Sequence, residues 1–152
     1  MKDLTKEEMI RVLKKEEDGV IAFTDGTTPY CIPFGHVFVN DKVYLSLFLK
    51  GRKWGLLQKN PNVCFTVYSW NDDHTEWSSV VIDGVFEPVN EIPEIKAVVK
   101  ALIEKMGLDP ESYLEKRMKY YCDNMDNPKG LKVYKINSSC MGGRTMSTMM
   151  GK

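Results

Sequence analysis

Apolar residues recur at two different spacings along the chain, and the change in spacing divides the chain into three parts. Thr5 and Glu8 have the spacing of a helix capping box, and the apolar residues after them return at helical intervals to about Lys15. From Gly19 to Val89, short apolar runs alternate with turn-forming residues, which is typical of strands. Helical spacing resumes over residues 93–122. The pattern therefore predicts a helix, a β-rich middle and further helices.

The middle part predicts five or six short strands joined by tight turns. Asp25-Gly26 and Asn40-Asp41 are hairpin turn sequences, and Gly84 is a candidate β-bulge within the last strand. A short helix over about 52–59 follows the fourth strand. Because parallel strands need longer crossovers, these turns favour an antiparallel barrel. The predicted strands cover residues 20–24, 29–33, 37–39, 43–48, 63–68 and 77–89.

The last third predicts two helices and one closing strand. The helices cover residues 93–106 and a segment from Pro110 or Glu111 to about Cys122, and the strand covers about 131–137. The tail, residues 138–152, is rich in Met, Gly and Ser and has no clear period. A mobile terminus is favoured over methionines that close on a flat ligand, and Arg144 is a candidate anion contact. Residues 1–152 are long enough for one domain.

The charge of the chain argues against some classes of binding partner. The 152 residues include 21 basic and 21 acidic side chains, so the net charge is zero. This balance argues against general duplex nucleic-acid binding and against a polybasic membrane-surface protein. The polar N-terminus is not typical of a signal peptide, and no apolar run approaches the ~20 residues that span a bilayer. We expect a cytoplasmic protein that binds neither nucleic acid nor membrane.

The cysteines and histidines predict no metal site. His74 lies among acidic residues, and a solvated hairpin tip is favoured there over a hard-metal cluster. The cysteines are too widely spaced for a Cys-x-x-Cys pair and indicate free thiols. They are Cys31, Cys64, Cys122 and Cys140.

Lys50, Gly51, Arg52 and Lys53 place three cations within four positions at the start of the short helix. The free N–H groups and the positive end of the helix dipole point toward this place, where acidic residues are normally preferred. The arrangement is electrostatically unfavourable unless an anion lies among the cations, and phosphate is the usual occupant. Two interpretations fit the pattern: a phosphate site, or three solvated cations at a surface turn.

Several short motifs follow one another in a distinctive order. They are the segment Asp25-Gly26-Thr27-Thr28-Pro29-Tyr30-Cys31-Ile32-Pro33, the strand with Val43-Tyr44, Gly51-Arg52-Lys53 with Leu57, Asn60-Pro61 with Val63-Cys64-Phe65, and Ser78-Ser79-Val80-Val81-Ile82-Asp83-Gly84. Over roughly residues 19–89 this order resembles the pyridoxamine 5'-phosphate oxidase-like FMN-binding split barrels. The last motif is most similar to the nitroimidazole-resistance branch. The resemblance implies a mainly β fold, a six-stranded antiparallel split barrel with flanking helices.

In the family that the chain resembles, two copies pair and FMN lies in the groove between them. The resemblance implies that the phosphate is held by Lys50, Gly51, Arg52 and Lys53, and that the isoalloxazine ring is lined, mainly through backbone groups, by Pro33, Phe34, Gly35 and His36. It further implies that the ribityl chain or ring is flanked by Ser46 and Leu47. The second subunit would contribute Trp77, Ser78 and Ser79.

The resemblance implies an FMN-dependent oxidoreductase that passes electrons to a small organic acceptor. No general acid or base stands out in the sequence, which suits a flavin reaction better than hydrolysis, and we assign no catalytic residue. Three alternatives stay open. The chain is a flavin-binding electron carrier without turnover of its own, a haem-binding protein with His36 as the ligand, or a protein that binds a deazaflavin coenzyme. For His36 itself, an ordinary strand histidine is favoured.

Overall fold

The computed structural model describes residues 1–148, which form eight strands and four helices. Two hairpins follow the N-terminal helix, and a short helix separates them from a third, longer hairpin. In chain order the elements are β1 (Lys2–Asp3), α1 (Lys6–Lys15), β2 (Asp18–Thr24), β3 (Pro29–Gly35), β4 (Val37–Val39), β5 (Lys42–Phe48), α2 (Gly51–Lys59), β6 (Asn62–Trp70), β7 (Glu76–Pro88), α3 (Ile92–Lys105), α4 (Pro110–Asp123) and β8 (Leu131–Ser147).

The strands form one antiparallel sheet that curls into a half-barrel, which confirms the predicted split-barrel fold. Its order is β3-β2-β6-β7-β8-β5-β4, and β1 pairs with β8 near Arg144. The barrel has more than the six predicted strands. β1 has no predicted counterpart, because a strand of two residues is too short to show a periodic pattern. The four helices lie where the sequence predicts them, within one or two residues.

Residues 138–147 belong to a strand, so the prediction of a mobile terminus is wrong over these residues. β8 pairs with β7 from Pro88 opposite Tyr134 to Glu76 opposite Ser147. Backbone pairing along a long partner strand holds the segment and does not require an apolar period. The predicted closing strand therefore extends ten residues beyond its expected end. Met149 and Met150, the last tail methionines, lie outside the described residues.

Helix α1 covers one end of the half-barrel, and its predicted capping box is confirmed. The Glu8 N–H donates to Thr5 Oγ1 at 3.2 Å, and the Thr5 N–H donates to Glu8 Oε1 at 3.1 Å. The buried face of α1 carries Met9, Val12 and Leu13, which pack into the core inside the barrel. This inner core is the larger of two, and its buried members on the sheet include Ile21, Phe23, Val43, Leu45, Leu47, Phe65, Val67, Val80 and Ile82.

A second core lies on the outside of β4, β5 and the start of β8, where α3 and α4 pack. Tyr44 and Val133 from the strands meet Val98 and Ile103 of α3 and Tyr121 of α4. Residues on one face of β5 therefore point toward the helices, and residues on the other face point into the barrel. This alternation decides which β5 side chains are available to a ligand.

The opposite face of β2, β6, β7 and the second half of β8 remains exposed within the described chain. Its outward residues include several large apolar side chains, and we call this surface the open face. Tyr68 is 59 % exposed and Val81 41 %. The other large apolar members are Trp70, Trp77, Val85 and Met146, and the polar residues Ser79, Asp83 and Arg144 lie among them.

Candidate functional site

The cation-rich segment lies at the turn between β5 and α2. Lys50 is the N-cap residue and has extended backbone, but its side chain makes no capping hydrogen bond. Gly51 follows with φ of +74°, in the left-handed region that favours glycine. The first turn of α2 contains no acidic residue. The N-terminus of α2 therefore carries three cationic residues within four positions and no anionic group from α2 itself.

The three cations are held in place by neutral groups. Lys53 Nζ donates to the Lys50 carbonyl at 3.2 Å, and Lys50 Nζ lies 5.3 Å from the centre of the Phe48 ring. The Arg52 guanidinium stacks on Tyr30 of β3 at 4.3 Å. The ion pairs within residues 1–148 all involve other side chains. The positive charge of the segment is thus not neutralised by any described carboxylate at ion-pair distance.

A groove of about 240 Å³ lies between the end of β3, β5 and α3. Ser46 is in its wall, and Phe48 lies two residues further along the same side of β5. β5 ends at Phe48, and the Lys50 N–H donates to the Phe48 carbonyl at 3.0 Å, so the chain turns before it reaches the cations. The groove and the cations therefore follow one another along the chain, with a turn between them. The groove is lined by Phe34, Gly35, His36, Val37, Tyr44, Ser46, Val98 and Leu102.

Two hydroxyl contacts behind the groove were not anticipated from the sequence. The buried Tyr121 donates to Ser46 Oγ at 3.0 Å. Tyr44 donates to Glu94 Oε2 at 2.7 Å, and Lys135 contacts the same carboxylate at 3.3 Å. Burial and the bond to Glu94 raise the pKa of Tyr44 to about 12. These partners come from α3, α4 and β8, far along the chain from β5, and no local motif marks them.

His36 is buried and its ring is not presented to a ligand. Its Nε2 lies 2.7 Å from the Leu13 carbonyl of α1, and the ring packs edge-on against Phe65. Burial, and then the charge of Lys105, lower its pKa to about 4. The Nδ1 atom has no hydrogen-bond partner among residues 1–148. These surroundings favour the ordinary strand histidine over a haem ligand at this position. Of the predicted ring-lining set, Phe34, Gly35 and His36 line the groove, while Pro33 lies exposed on the outer side of β3.

Leu47 also differs from its predicted role at the level of the side chain. It is 2 % exposed and belongs to the inner core, so only its backbone can face a ligand. Ser46, its neighbour, points the opposite way and lines the groove. The period of two along a strand allows only one of these adjacent side chains to reach the groove.

The three residues predicted to come from a second subunit do not share one face. Trp77 and Ser79 lie on the open face, in a cavity of about 530 Å³ that also contains Arg144. Ser78 points to the other side of β7, beneath α1. Trp77 pairs with Met146 near the end of β8, whereas Phe48, beside the cations, pairs with Leu131 at its start. Within one chain, the open-face pair and the cation segment therefore stand at opposite ends of β8.

Arg144 and His74 have local partners. The Arg144 Nε lies 3.4 Å from Asp3 of β1, and both side chains are largely exposed. His74 stacks on Trp70 in the turn between β6 and β7, with a centroid distance of 5.7 Å. Residues 1–148 contain no group of three or more His, Cys, Asp or Glu side chains arranged for a metal ion. Over the same residues, no helix has the length and apolar character needed to cross a membrane.

The sequence of the chain matches a known protein family over most of its length. A family model for pyridoxamine 5'-phosphate oxidase matches residues 5–129. The chain matches no curated protein.

Solved structures resemble the chain over most of its length. A candidate 5-nitroimidazole antibiotic resistance protein from Bacteroides thetaiotaomicron has a TM-score of 0.72 and 22 % identity, covering 95 % of this chain and 86 % of its own. An FAD-binding protein from Mesorhizobium loti has a TM-score of 0.65 and 21 % identity, and the match covers 96 % of this chain and 98 % of that protein. An FAD- and haem-binding protein from Mycobacterium smegmatis has a TM-score of 0.73 and 12 % identity, and the match covers 100 % of this chain and 76 % of that protein. At these identities the structures establish the fold, and with the family match over most of the sequence, the chain belongs to the pyridoxamine 5'-phosphate oxidase family.

Proposed function

We propose that this protein binds FMN and places its phosphate at the start of α2. The observation that carries the proposal is the set of three cations at this helix N-terminus, which has no described carboxylate at ion-pair distance. Arg52 offers a planar donor fork, Lys53 a point charge, and the backbone around Gly51 free N–H groups. These donors suit a phosphate dianion in number and in charge.

The groove beside β5 is the proposed place for the isoalloxazine ring and ribityl chain. Phe34 supplies an apolar wall, the backbone around Gly35 supplies polar contacts, and Ser46 supplies a hydroxyl that Tyr121 orients. Ser46 in the groove and Lys50 at the N-cap of α2 are four positions apart in the sequence, so the connection between β5 and α2 would contact both the ribityl chain and the phosphate. FAD contains the same ribityl phosphate, which agrees with the FAD-binding proteins among the structural neighbours.

A homodimer is part of the proposal, because the open face exposes several large apolar side chains. Tyr68, Val81 and Val85 are exposed there on neighbouring strands. Exposed apolar patches of this kind mark interaction surfaces in soluble proteins. A second copy would cover them and would bring its Trp77 and Ser79 toward the cofactor of the first copy.

We propose an oxidoreductase reaction with a small organic acceptor. FMN supplies electron or hydride transfer when bound, and the chain supplies position and a partly dry groove. At neutral pH the titratable groups of the groove, His36 and Tyr44, are both held neutral, because their pKa values are about 4 and about 12. Neither is matched to proton transfer near neutral pH. A reaction that needs no general acid or base from the protein is therefore favoured over hydrolysis.

The first experiment is the visible spectrum of the freshly purified protein, with mass spectrometry of the molecule released on denaturation. FMN gives the two bands of a flavin and the mass of FMN. FAD, a deazaflavin coenzyme or haem would each give another mass, and haem would give a Soret band. A colourless protein that cannot be reconstituted with FMN would overturn the proposal.

The second experiment separates an enzyme from an electron carrier. The bound flavin is reduced with NADH or NADPH, and nitroaromatic or quinone acceptors are then added under anaerobic conditions. Multiple turnovers support the oxidoreductase. A single reoxidation without turnover supports the carrier.

A further inference from the structure

Tyr121 of α4 places its hydroxyl behind the groove, where it contacts Ser46 of β5. Tyr121 is 5 % exposed, and its hydroxyl donates to Ser46 Oγ at 3.0 Å. Burial raises the pKa of Tyr121, so the hydroxyl keeps its proton at neutral pH. A buried tyrosine hydroxyl normally has a hydrogen-bond partner, and Ser46 is the partner that the described residues supply here.

The direction of this hydrogen bond follows from the burial of its two ends. If Ser46 donated instead, the Tyr121 hydrogen would be buried without an acceptor, because no second partner of this hydroxyl lies among residues 1–148. A buried hydrogen that makes no bond costs more free energy than one that water can reach. Ser46 is half-buried and borders the groove. Tyr121 is therefore the donor, and Ser46 Oγ is the acceptor.

The Ser46 hydroxyl still has its own hydrogen to donate. A hydroxyl group has one hydrogen and two lone pairs that accept, and the Tyr121 hydrogen occupies one of these lone pairs. Among the groups of residues 1–148, none accepts the Ser46 hydrogen. Because the bonds around a hydroxyl oxygen diverge, this hydrogen is directed away from Tyr121 and is available to an acceptor in the groove that Ser46 lines.

The other polar side chains of the groove already use their hydrogens. Tyr44 donates to Glu94 Oε2 at 2.7 Å. The neutral His36 ring has one N–H group, and it is on Nε2, because the Leu13 carbonyl oxygen 2.7 Å away can only accept. The rest of the lining has no polar side chain. Of the described side chains around the groove, Ser46 alone has a hydrogen free to donate.

We propose that Tyr121 is a positioning residue, which fixes Ser46 as the side-chain hydrogen-bond donor to the ligand in the groove. The inference rests on the proposed FMN function and deepens it. The part of FMN against Ser46 presents an acceptor: a ring nitrogen, a ring carbonyl oxygen or a ribityl hydroxyl oxygen. Since the Ser46 hydroxyl is oriented before the ligand arrives, binding costs less conformational entropy. A residue of α4, 75 positions from Ser46, thereby contributes to flavin affinity.

A double-mutant cycle in the full-length apoprotein tests this inference, with the affinity for FMN measured by isothermal titration. We expect Ser46→Ala to weaken FMN binding by about fivefold, the effect of one hydrogen bond between neutral groups. Tyr121→Phe keeps the ring and should weaken binding by about threefold, because Ser46 keeps its hydrogen but loses its fixed direction. In the Ser46→Ala background, Tyr121→Phe should cause no further loss, because Tyr121 acts through Ser46.

Two further variants separate positioning from a structural role. Ser46→Thr keeps a hydroxyl group and should regain most of the affinity that Ser46→Ala loses. Tyr120→Phe is the matched control, because the Tyr120 hydroxyl accepts the Leu131 N–H at 3.2 Å. This variant therefore loses a hydrogen bond between α4 and β8 without changing Ser46, and it should bind FMN as the wild type does.

The outcomes distinguish this inference from the proposed function. If the wild type binds FMN but Tyr121→Phe causes no loss, the same loss as Tyr120→Phe, or an equal loss with and without the Ser46 hydroxyl, the positioning role is overturned and the FMN function stands. A Ser46→Thr variant as weak as Ser46→Ala would also overturn the role of the hydroxyl. A wild type that binds no FMN would overturn both proposals.

Discussion

Lys50, Arg52 and Lys53 illustrate at the scale of single residues how much depends on surroundings that the sequence does not reveal. Their spacing alone fits either a phosphate site or bare surface. In the structure each cation rests on a neutral group: the Phe48 ring, the Tyr30 ring or a carbonyl. The positive charge is thereby positioned without being neutralised. This combination favours the phosphate interpretation on which the proposed function rests.

The burial of His36 predicts that the free energy of unfolding depends on pH. The folded protein holds it neutral, with a pKa of about 4 against the usual 6.5. Below pH 6.5 the unfolded chain takes up a proton that the folded chain excludes. The free energy of unfolding is therefore unaffected by the titration of His36 above pH 6.5. As the pH falls from 6.5 toward 4, protonation of the unfolded chain lowers the free energy of unfolding by about 3 kcal/mol.

Urea unfolding at a series of pH values, from about neutral to about 4, measures this loss. The variant His36→Gln should be less sensitive to pH over this range, whereas His74→Gln, which changes an exposed histidine, should behave as the wild type. An NMR titration that gives His36 a pKa near 6.5 would refute the account of its burial.

At the scale of the strand, the close contact at Gly84 predicts that a larger residue there destabilises the fold. The pairing of β7 with β8 shifts register between Asp83 and Gly84, where the sequence predicts a bulge, but the extra residue lies in β8: Asp83 pairs with Cys140 and Gly84 with Ser138, so Ser139 is the extra residue. A Cβ atom on Gly84 would lie 2.4 Å from the carbonyl oxygen of Asn137. Since this neighbour is backbone, we expect Gly84→Ala to destabilise the fold by roughly 1–3 kcal/mol.

Gly55→Ala provides the matched control, because a Cβ atom there meets nothing within 4 Å. Removing a glycine from the exposed side of α2 should be neutral or stabilising by up to about 1 kcal/mol. Chemical denaturation of both variants gives the comparison. Equal stabilities would show that the close approach of β7 and β8 relaxes without cost.

Elements with strong local signals could be predicted from the sequence, and elements that depend on a distant partner could not. The capping box at Thr5 and the turn at Asp25-Gly26 are encoded by adjacent residues, and both helix and hairpin form as expected. The end of β8 is different. Gly142 and Gly143 carry no periodic pattern, and their conformation is imposed by β7, some sixty residues earlier in the chain.

The residues of the candidate site also fall into two groups, those that a local pattern predicts and those that depend on a distant partner. The cations at α2 are contiguous and were recognisable, whereas Tyr121 reaches Ser46 only because α4 packs on β5. The family resemblance assigns Ser78, together with Trp77 and Ser79, to a contact from the second subunit. The alternation of a strand places it on the opposite face, where it meets Ser69. Adjacent residues in a strand cannot be assumed to serve one ligand.

At the scale of the whole molecule, the open face predicts a dimer. Tyr68→Glu and Val81→Glu would place a charge in the centre of this surface, so we expect each variant to be monomeric in sedimentation velocity while the wild type is dimeric. Tyr113→Glu is the control, because Tyr113 is similarly exposed, at 41 %, but lies on α4. A monomeric wild type, or a Tyr68→Glu variant that stays dimeric, would rule out this surface as the interface.

The phosphate site at α2 is tested most directly by comparing FMN with riboflavin, which lacks the phosphate. Isothermal titration of the apoprotein should give tighter binding of FMN than of riboflavin. In Arg52→Gln combined with Lys53→Gln, FMN should lose at least about tenfold in affinity for each charged contact while riboflavin is unaffected. Lys59→Gln, at the other end of α2, is the control. Equal binding of FMN and riboflavin by the wild type, or an equal loss for both ligands in the double variant, would contradict the account.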